Sequence, residues 1–184
     1  MNDIGTKTIS TDRLTLRRYL LSDAGDMYNN WCSDPEVCKF FTWNPHSDVN
    51  ETASLVKMWI DAYQSPLTYH WIISNNEIDQ AIGSIYLDRF SVEDKSAVIS
   101  CIISKNHWGR GFAAEATKAV VRYAFREIKL NRVDSHHHEE NIGSGKALIK
   151  SGLRFIETRF VSYPECSRID GNYRFYTIGR DEFI

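Results

Sequence analysis

The residues best suited to chemistry in this 184-residue chain form one short run, Trp108-Gly109-Arg110-Gly111-Phe112-Ala113-Ala114-Glu115-Ala116. It lies between an apolar stretch, Ser96 to Ile103, and the longest helical pattern in the chain, residues 110 to 129. Two glycines let the backbone turn tightly and let a ligand approach without Cβ interference. The first amides of a helix have no intrahelical partner, and the positive end of the macrodipole stands behind them. Together these features make an anion site suited to a phosphate or pyrophosphate. The same glycines would also serve simply to close a strand-to-helix turn, and the run alone leaves both readings open.

Gly109, Gly111 and Ala114 also satisfy the permissive dinucleotide fingerprint G-x-G-x-x-[GA], with Asp134 about twenty residues further on. The context argues against it. The first glycine of that fingerprint directly follows its strand, whereas Ser104 to Trp108 intervene here, and only one short helix remains downstream. The run His136-His137-His138-Glu139-Glu140 suggests a metal, but consecutive residues at a strand end point in alternating directions, so one ion cannot easily collect all three histidines. A polar strand-to-helix connection is expected there, and no metal. Cys32, Cys38, Cys101 and Cys166 show no C-x-x-C spacing and are expected to be free thiols.

The elements that position these residues follow from periodicity. Thr11 to Tyr19 predicts a strand, with Leu14 and Leu16 alternating with Arg13, Thr15 and Arg17. Ser22-Asp23 opens a helix toward Cys32, and Ser33-Asp34-Pro35-Glu36 opens a second with Pro35 in its first turn. A third helix from Asn50 to Gln64 places Val56, Trp59, Ile60 and Tyr63 on one face. Strands follow at Tyr69–Ser74, Ala81–Leu87 and Ser96–Ile103, the last apolar enough to be central and covered on both faces. The helix 110–129 buries Phe112, Ala116, Ala119, Val120, Tyr123, Ala124 and Ile128. A strand Arg132–His136, a helix Asn141–Ser151 and strands Arg154–Val161 and Asn172–Ile178 complete the chain. The last strand, rich in aromatics, either pairs with another chain or is buried inside this one. The order β-α-α-α-β-β-β-α-β-α-β-β predicts an α/β fold with a mixed, largely antiparallel sheet.

Composition bounds the function. Hydrophobic residues make up 42% of the chain and charged residues 25%, the balance of a globular domain. Twenty-two basic against 24 acidic residues give a net charge of −2, without the basic excess that nucleic-acid binding usually brings. No apolar run approaches the ~20 residues of a membrane span, and the start lacks a signal-peptide pattern, so a cytoplasmic location is expected.

The strand Ser96–Ile103, the turn Trp108–Ala113 and the helix to Ile128 resemble motif A of the Gcn5-related N-acetyltransferases, the GNAT superfamily. Asn131-Arg132-Val133, Asn141-Ile142-Gly143-Ser144 and Lys150-Ser151-Gly152-Leu153 resemble motif B. The opening Thr11-Asp12-Arg13-Leu14-Thr15-Leu16-Arg17 and Ser33-Asp34-Pro35-Glu36-Val37 look like the branch that acetylates ribosomal-protein N-termini. The resemblance runs from about Thr8 to Phe183 and implies one N-acetyltransferase domain, residues 1–184. It implies a sheet of about seven strands, splayed between two central strands to hold acetyl-CoA as cosubstrate. By position, Trp108, Gly109, Arg110, Gly111, Phe112 and Ala113 would bind the cosubstrate, the backbone amides from Gly109 onward taking its pyrophosphate. Asn141 would contact its pantetheine arm, with Ser144 nearby.

The departures are specific. Trp108 stands where the pattern has Gln or Arg. Leu148 occupies the place of the common tyrosine acid, and Val98 and Cys101 replace a glutamate and a tyrosine of the branch. Ser144 is therefore the candidate for protonating the departing thiolate, and the alternative is a serine that satisfies a helix amide. Glu165 is the candidate base, with Asp88 the other choice. An α-amino group, with a pKa near 8, has limited need of either. An oxyanion donor is available from a backbone amide of Ile99–Ile103. The expected reaction moves an acetyl group from acetyl-CoA to a primary amine, first a protein or peptide α-amino group, second a small amine such as a polyamine or antibiotic. A silent acyl-CoA-binding module is the further alternative. Trp43-Asn44-Pro45-His46 lies where acceptor loops occur in the resembled family. Neither a nucleic-acid nor a membrane partner is expected, and a monomer and a homodimer are equally compatible with the sequence.

Overall fold

The computed structural model describes residues 1–183. Its strands are β1 (Ile9–Ser10), β2 (Leu14–Arg17), β3 (Tyr69–Asn75), β4 (Gln80–Ser91), β5 (Ser96–Ile103), β6 (Arg132–His138), β7 (Arg154–Val161) and β8 (Gly171–Gly179). They form an eight-stranded sheet in the order β1-β2-β3-β4-β5-β6-β8-β7. The two-residue β1 brings the count to eight rather than seven. It is too short to carry an alternation that a sequence could display. Neighbours are antiparallel except β5 and β6. That parallel pair needs a crossover, supplied by helix α4 (Phe112–Tyr123) and a wider π turn, Ala124–Ile128.

The predicted first strand is longer than the observed one. Its start is a turn in which the Thr11 amide donates to the Leu14 carbonyl and the Arg13 amide donates to Glu115. At its other end the Tyr19 amide donates to the Tyr63 hydroxyl. Helix α1 (Asp23–Met27) runs into a π turn to Cys32, and α2 (Pro35–Cys38) is capped by Asp34, whose carboxylate accepts from the Glu36 amide. Helix α3 (Val49–Ala62) begins where the Asp48 carboxylate accepts from the amides of Asn50 and Glu51. The last helix is α5 (Ile142–Lys150).

Side chains alternate across the sheet, so each strand feeds two cores. Leu14, Leu16, Trp71, Ile85, Leu87, Ile99 and Val133 pack under Phe112, Ala116, Val120 and Tyr123 of α4. On the other face Ile72 meets Tyr19, Met27, Trp31 and Val56 from the early helices. Each such side chain contributes roughly 1.5–3 kcal/mol when fully buried. Strand β8 lies between β6 and β7, so its aromatic residues are used inside this chain. Trp43 stacks on Phe41 and packs against the second core, and His46 bonds the Thr52 hydroxyl at 2.8 Å.

Candidate active site

The centre of the sheet is split. Strands β5 and β6 pair only from Ser96↔Arg132 to Val98↔Asp134, then part. Two bonds show how the rest of β5 is oriented. The Ile99 carbonyl accepts from the Ser135 hydroxyl at 2.9 Å, and the Ile103 carbonyl accepts from the Trp108 indole at 2.7 Å. Alternate residues of a strand turn their backbone groups the same way, so the amide and carbonyl of Cys101 face the gap beyond the last β6 pair. That amide is a donor available to negative charge developing in the gap. The Cys101 thiol is not a nucleophile: burial pushes it up to about 12, against a smaller opposing effect of Thr117.

The turn that follows β5 is built for an anion. Gly109 and Gly111 both adopt left-handed backbone conformations, with φ of 76° and 83°. Gly111 is the residue before α4, and no side chain caps the helix there. The first amides of α4 thus keep their donors free. A Cβ on Gly109 would meet nothing within 4 Å, so the space beside the turn is open. These features suit the turn to an anion, with the amides of Gly109, Arg110, Gly111, Phe112 and Ala113 around it. Trp108 is half exposed and fixed by its indole bond, which settles the loop without Gln or Arg at that place.

A clamp that sequence spacing did not reveal holds this turn. Arg13 donates from Nε to Glu115 at 2.7 Å and from Nη1 to the Arg110 carbonyl at 3.0 Å, and lies 4.5 Å from the Phe112 ring centroid. The Thr11 hydroxyl and the Arg13 amide also donate to Glu115, at 2.6 and 3.1 Å. Partial burial raises the Glu115 pKa, but these bonds and the Arg13 charge outweigh it and leave a net lowering. The charged carboxylate is therefore the working form near neutral pH. The partners lie about a hundred residues apart, so no local pattern announces them.

At the start of α5 the Asn141 side chain accepts from the Ser144 amide at 3.2 Å. Asn141 thus does the capping that was the structural alternative for Ser144. The Ser144 hydroxyl, half-buried in the first turn, makes no hydrogen bond among the described residues. Glu165 is exposed in the segment between β7 and β8, two residues from Tyr163. Asp88 is half-buried on β4 with a buried, unpartnered Oδ1, and burial pushes its pKa up. The histidine run continues β6 rather than leaving it. His137 is buried against Tyr176, whereas His136 and His138 take the other face, and the described residues contain no metal-binding group.

On the sheet face away from α4, an open depression of about 820 Å³ reaches the gap, lined by Val98, Asp134, His136, Phe175 and several arginines. Arg168, in the segment between β7 and β8, ties down the chain that follows α2. That guanidinium donates to the carbonyls of Lys39 and Phe41, each at 2.9 Å, and of Trp43 at 3.2 Å. Arg168→Ala is expected to lower stability by about 1–2 kcal/mol, since bonds from a charged donor are worth more than neutral ones. Urea melts compared with wild type would read it, and an unchanged midpoint would mean the ties carry no net stability.

An amide-lined turn at the open end of a split sheet, with an open depression on the face away from α4, offers places for two substrates. The model of the GNAT acetyltransferase domain matches residues 13–154. The chain is a GNAT N-acetyltransferase. This acetyl-CoA-dependent enzyme is 34% identical over 142 residues to an uncharacterized N-acetyltransferase, p20, of Bacillus licheniformis, covering 77% of this chain and 79% of that one. Its fold is similar to a GNAT acetyltransferase from Bacillus anthracis, with TM-score 0.82 and 20% identity over 95% and 99% of the two chains. It is also similar to Vibrio cholerae spermidine N-acetyltransferase in complex with CoA and spermine (TM-score 0.76, 18% identity, 94% and 99% covered). A ribosomal-protein-S5-alanine acetyltransferase from Vibrio fischeri shares the fold with TM-score 0.78 and 12% identity, over 97% and 99%. No helix among the described residues is long and apolar enough to cross a membrane.

Proposed function

We propose that this N-acetyltransferase acetylates the α-amino group of a protein or peptide. The wide depression across the gap from the amide-lined turn carries that reading, because it leaves room for a chain end rather than a single small amine. The second reading, a small amine, draws on the likeness in fold to the spermidine enzyme.

In this reading Gly109 to Ala113 hold the pyrophosphate through backbone amides, and Asn141 meets the pantetheine arm through the amide nitrogen its cap leaves free. Acetyl-CoA supplies the activated acetyl thioester. A neutral amine nitrogen forms the new C–N bond as the C–S bond breaks, with the Cys101 amide donating to the carbonyl oxygen. The amine proton passes to water or to Glu165, and Ser144 delivers a proton to the departing sulfur. The raised Cys101 thiol supports direct transfer to the amine over an acetylated cysteine.

Ser144→Ala is expected to lower kcat by about 10²-fold, within the range of a lost general acid, with acetyl-CoA affinity nearly unchanged. Equal turnover would remove Ser144 from the mechanism. The acceptor class is tested by presenting peptides with free and blocked N-termini beside spermidine and reading acetylation by mass spectrometry. Acetylation confined to spermidine would reject the peptide reading.

A further inference from the structure

The depression's charge is unlike that of the chain. Arg89, Arg132, Arg154 and Arg159 line it against two carboxylates, Asp134 and Glu157, in a protein whose net charge is −2. Two of these arginines are already committed. Arg132 binds Asp134 at 2.9 Å, and Arg154 binds Glu182 at 2.7 Å. Arg89 has no ion-pair or hydrogen-bond partner among the described residues, and Arg159 reaches Glu157 only at 3.8 Å.

Arg159 lies over one aromatic pair in this depression, and Arg89 lines the same depression. His136 stacks on Phe175 with centroids 5.3 Å apart, and the Arg159 guanidinium lies 4.0 Å from the centroid of that same phenylalanine. Burial first, then the charges of Arg89, Arg159 and His137, push the His136 imidazole down to about 4. Arg89 is aimed by the backbone. The β4–β5 register shifts between Asp88 and Ser91, and Arg89 there has φ of 48°, a left-handed conformation unfavourable for any residue with a Cβ. Bulges of this kind re-aim side chains beside active sites.

We propose that the depression selects acceptors bearing a carboxylate a few bonds from the reactive amine, with Arg89 and Arg159 binding that carboxylate beside the His136 ring. The inference rests on the N-acetyltransferase reading and deepens it. The same positive surroundings disfavour the ammonium form of the amine, and so help to present it neutral without a dedicated base. They also oppose entry of a polycation such as spermidine. The carboxylate has two possible sources, the side chain of an acidic first residue in a peptide and the α-carboxylate of a free amino acid.

The test uses the full chain with two matched pairs and spermidine. One pair is a tripeptide amide beginning with glutamate and its glutamine counterpart; the other is phenylalanine and phenylalaninamide. Binding to the CoA complex is measured by calorimetry, and acetylation is followed in parallel. The carboxylate member of one pair is expected to exceed its neutral partner and spermidine about tenfold, as one charge-assisted bond allows. Which pair shows the preference identifies the source. In Arg89→Gln and Arg159→Gln the preference falls toward 1, and Arg89→Lys restores part of it; both sites line an open surface, and melting curves check the folds. Equal binding within both pairs, a preference for spermidine, or a preference that survives both Gln variants would overturn the proposal. Carboxylate-selective binding with no acetylation of any amine would leave the anchor standing and contradict the acetyl-transfer reading instead.

Discussion

Gly111→Val weakens acetyl-CoA binding by on the order of a hundredfold while the chain still folds. At φ of 83° a side chain is strained whatever space it has, and a β-branched one most of all. An L-residue there costs about 1–2 kcal/mol, and the strain is relieved only by rotating the backbone. That rotation turns the amides of Phe112 and Ala113, which are among the donors proposed for the pyrophosphate. A Cβ would also sit 3.6 Å from Arg13 Nη2, so the branches beyond it crowd a guanidinium already bound to Glu115 and to the Arg110 carbonyl. Strain and lost donors together supply the roughly 2.8 kcal/mol that a hundredfold change represents. Calorimetric titration with CoA reads the effect, and wild-type affinity in the variant would show that the turn does not carry the phosphates.

Gly83→Ala is expected to destabilise the fold by about 3 kcal/mol. A Cβ built there would lie 2.1 Å from the Ile102 carbonyl oxygen, which is backbone in the neighbouring strand and cannot rotate aside as a side chain would. The two strands must move apart, a form of overpacking that costs 1–3 kcal/mol or somewhat more. For a chain of this size about 3 kcal/mol corresponds to a fall of roughly 6–12 °C in Tm. The displacement also reaches the active site. The Ser104 amide donates to Ile82 beside Gly83, and the Ile103 carbonyl holds the Trp108 indole. A melting temperature within a degree or two of wild type would mean that β4 and β5 adjust without loss.

Where local pattern decides structure, the sequence was a good guide. Ser96–Ile103 and Arg154–Val161 begin and end where expected, one as a continuous apolar run, the other between Gly152 and Pro164. The amide-lined turn was legible for the same reason, since Gly109, Gly111 and the helix after them are neighbours in the chain. The split between β5 and β6 was expected only through family resemblance, because where two strands part depends on packing of segments far apart in sequence. The Arg13–Glu115 clamp, the Arg168 ties and the placing of Arg89 and Arg159 on one depression share that character. Arg89 shows the limit best: its direction comes from a bulge at Arg89 and Phe90 that no local periodicity announces. The resemblance puts Asn141 at the pantetheine arm, and Ser144 has the capping alternative; only the structure shows that the Asn141 side chain takes the Ser144 amide and leaves the Ser144 hydroxyl free.

Acetyl-CoA held by the turn Gly109–Ala113, at the open end of the split sheet, would raise the melting temperature of the full chain in a titration with NAD and ATP as controls. A ligand bound only to the folded state adds about 2.7 kcal/mol at one hundred times its Kd, or roughly 5–11 °C for a chain of this size. A rise of that order with acetyl-CoA and none with NAD is the expected result. No rise at millimolar acetyl-CoA, or an equal rise with NAD, would contradict the assignment of the turn.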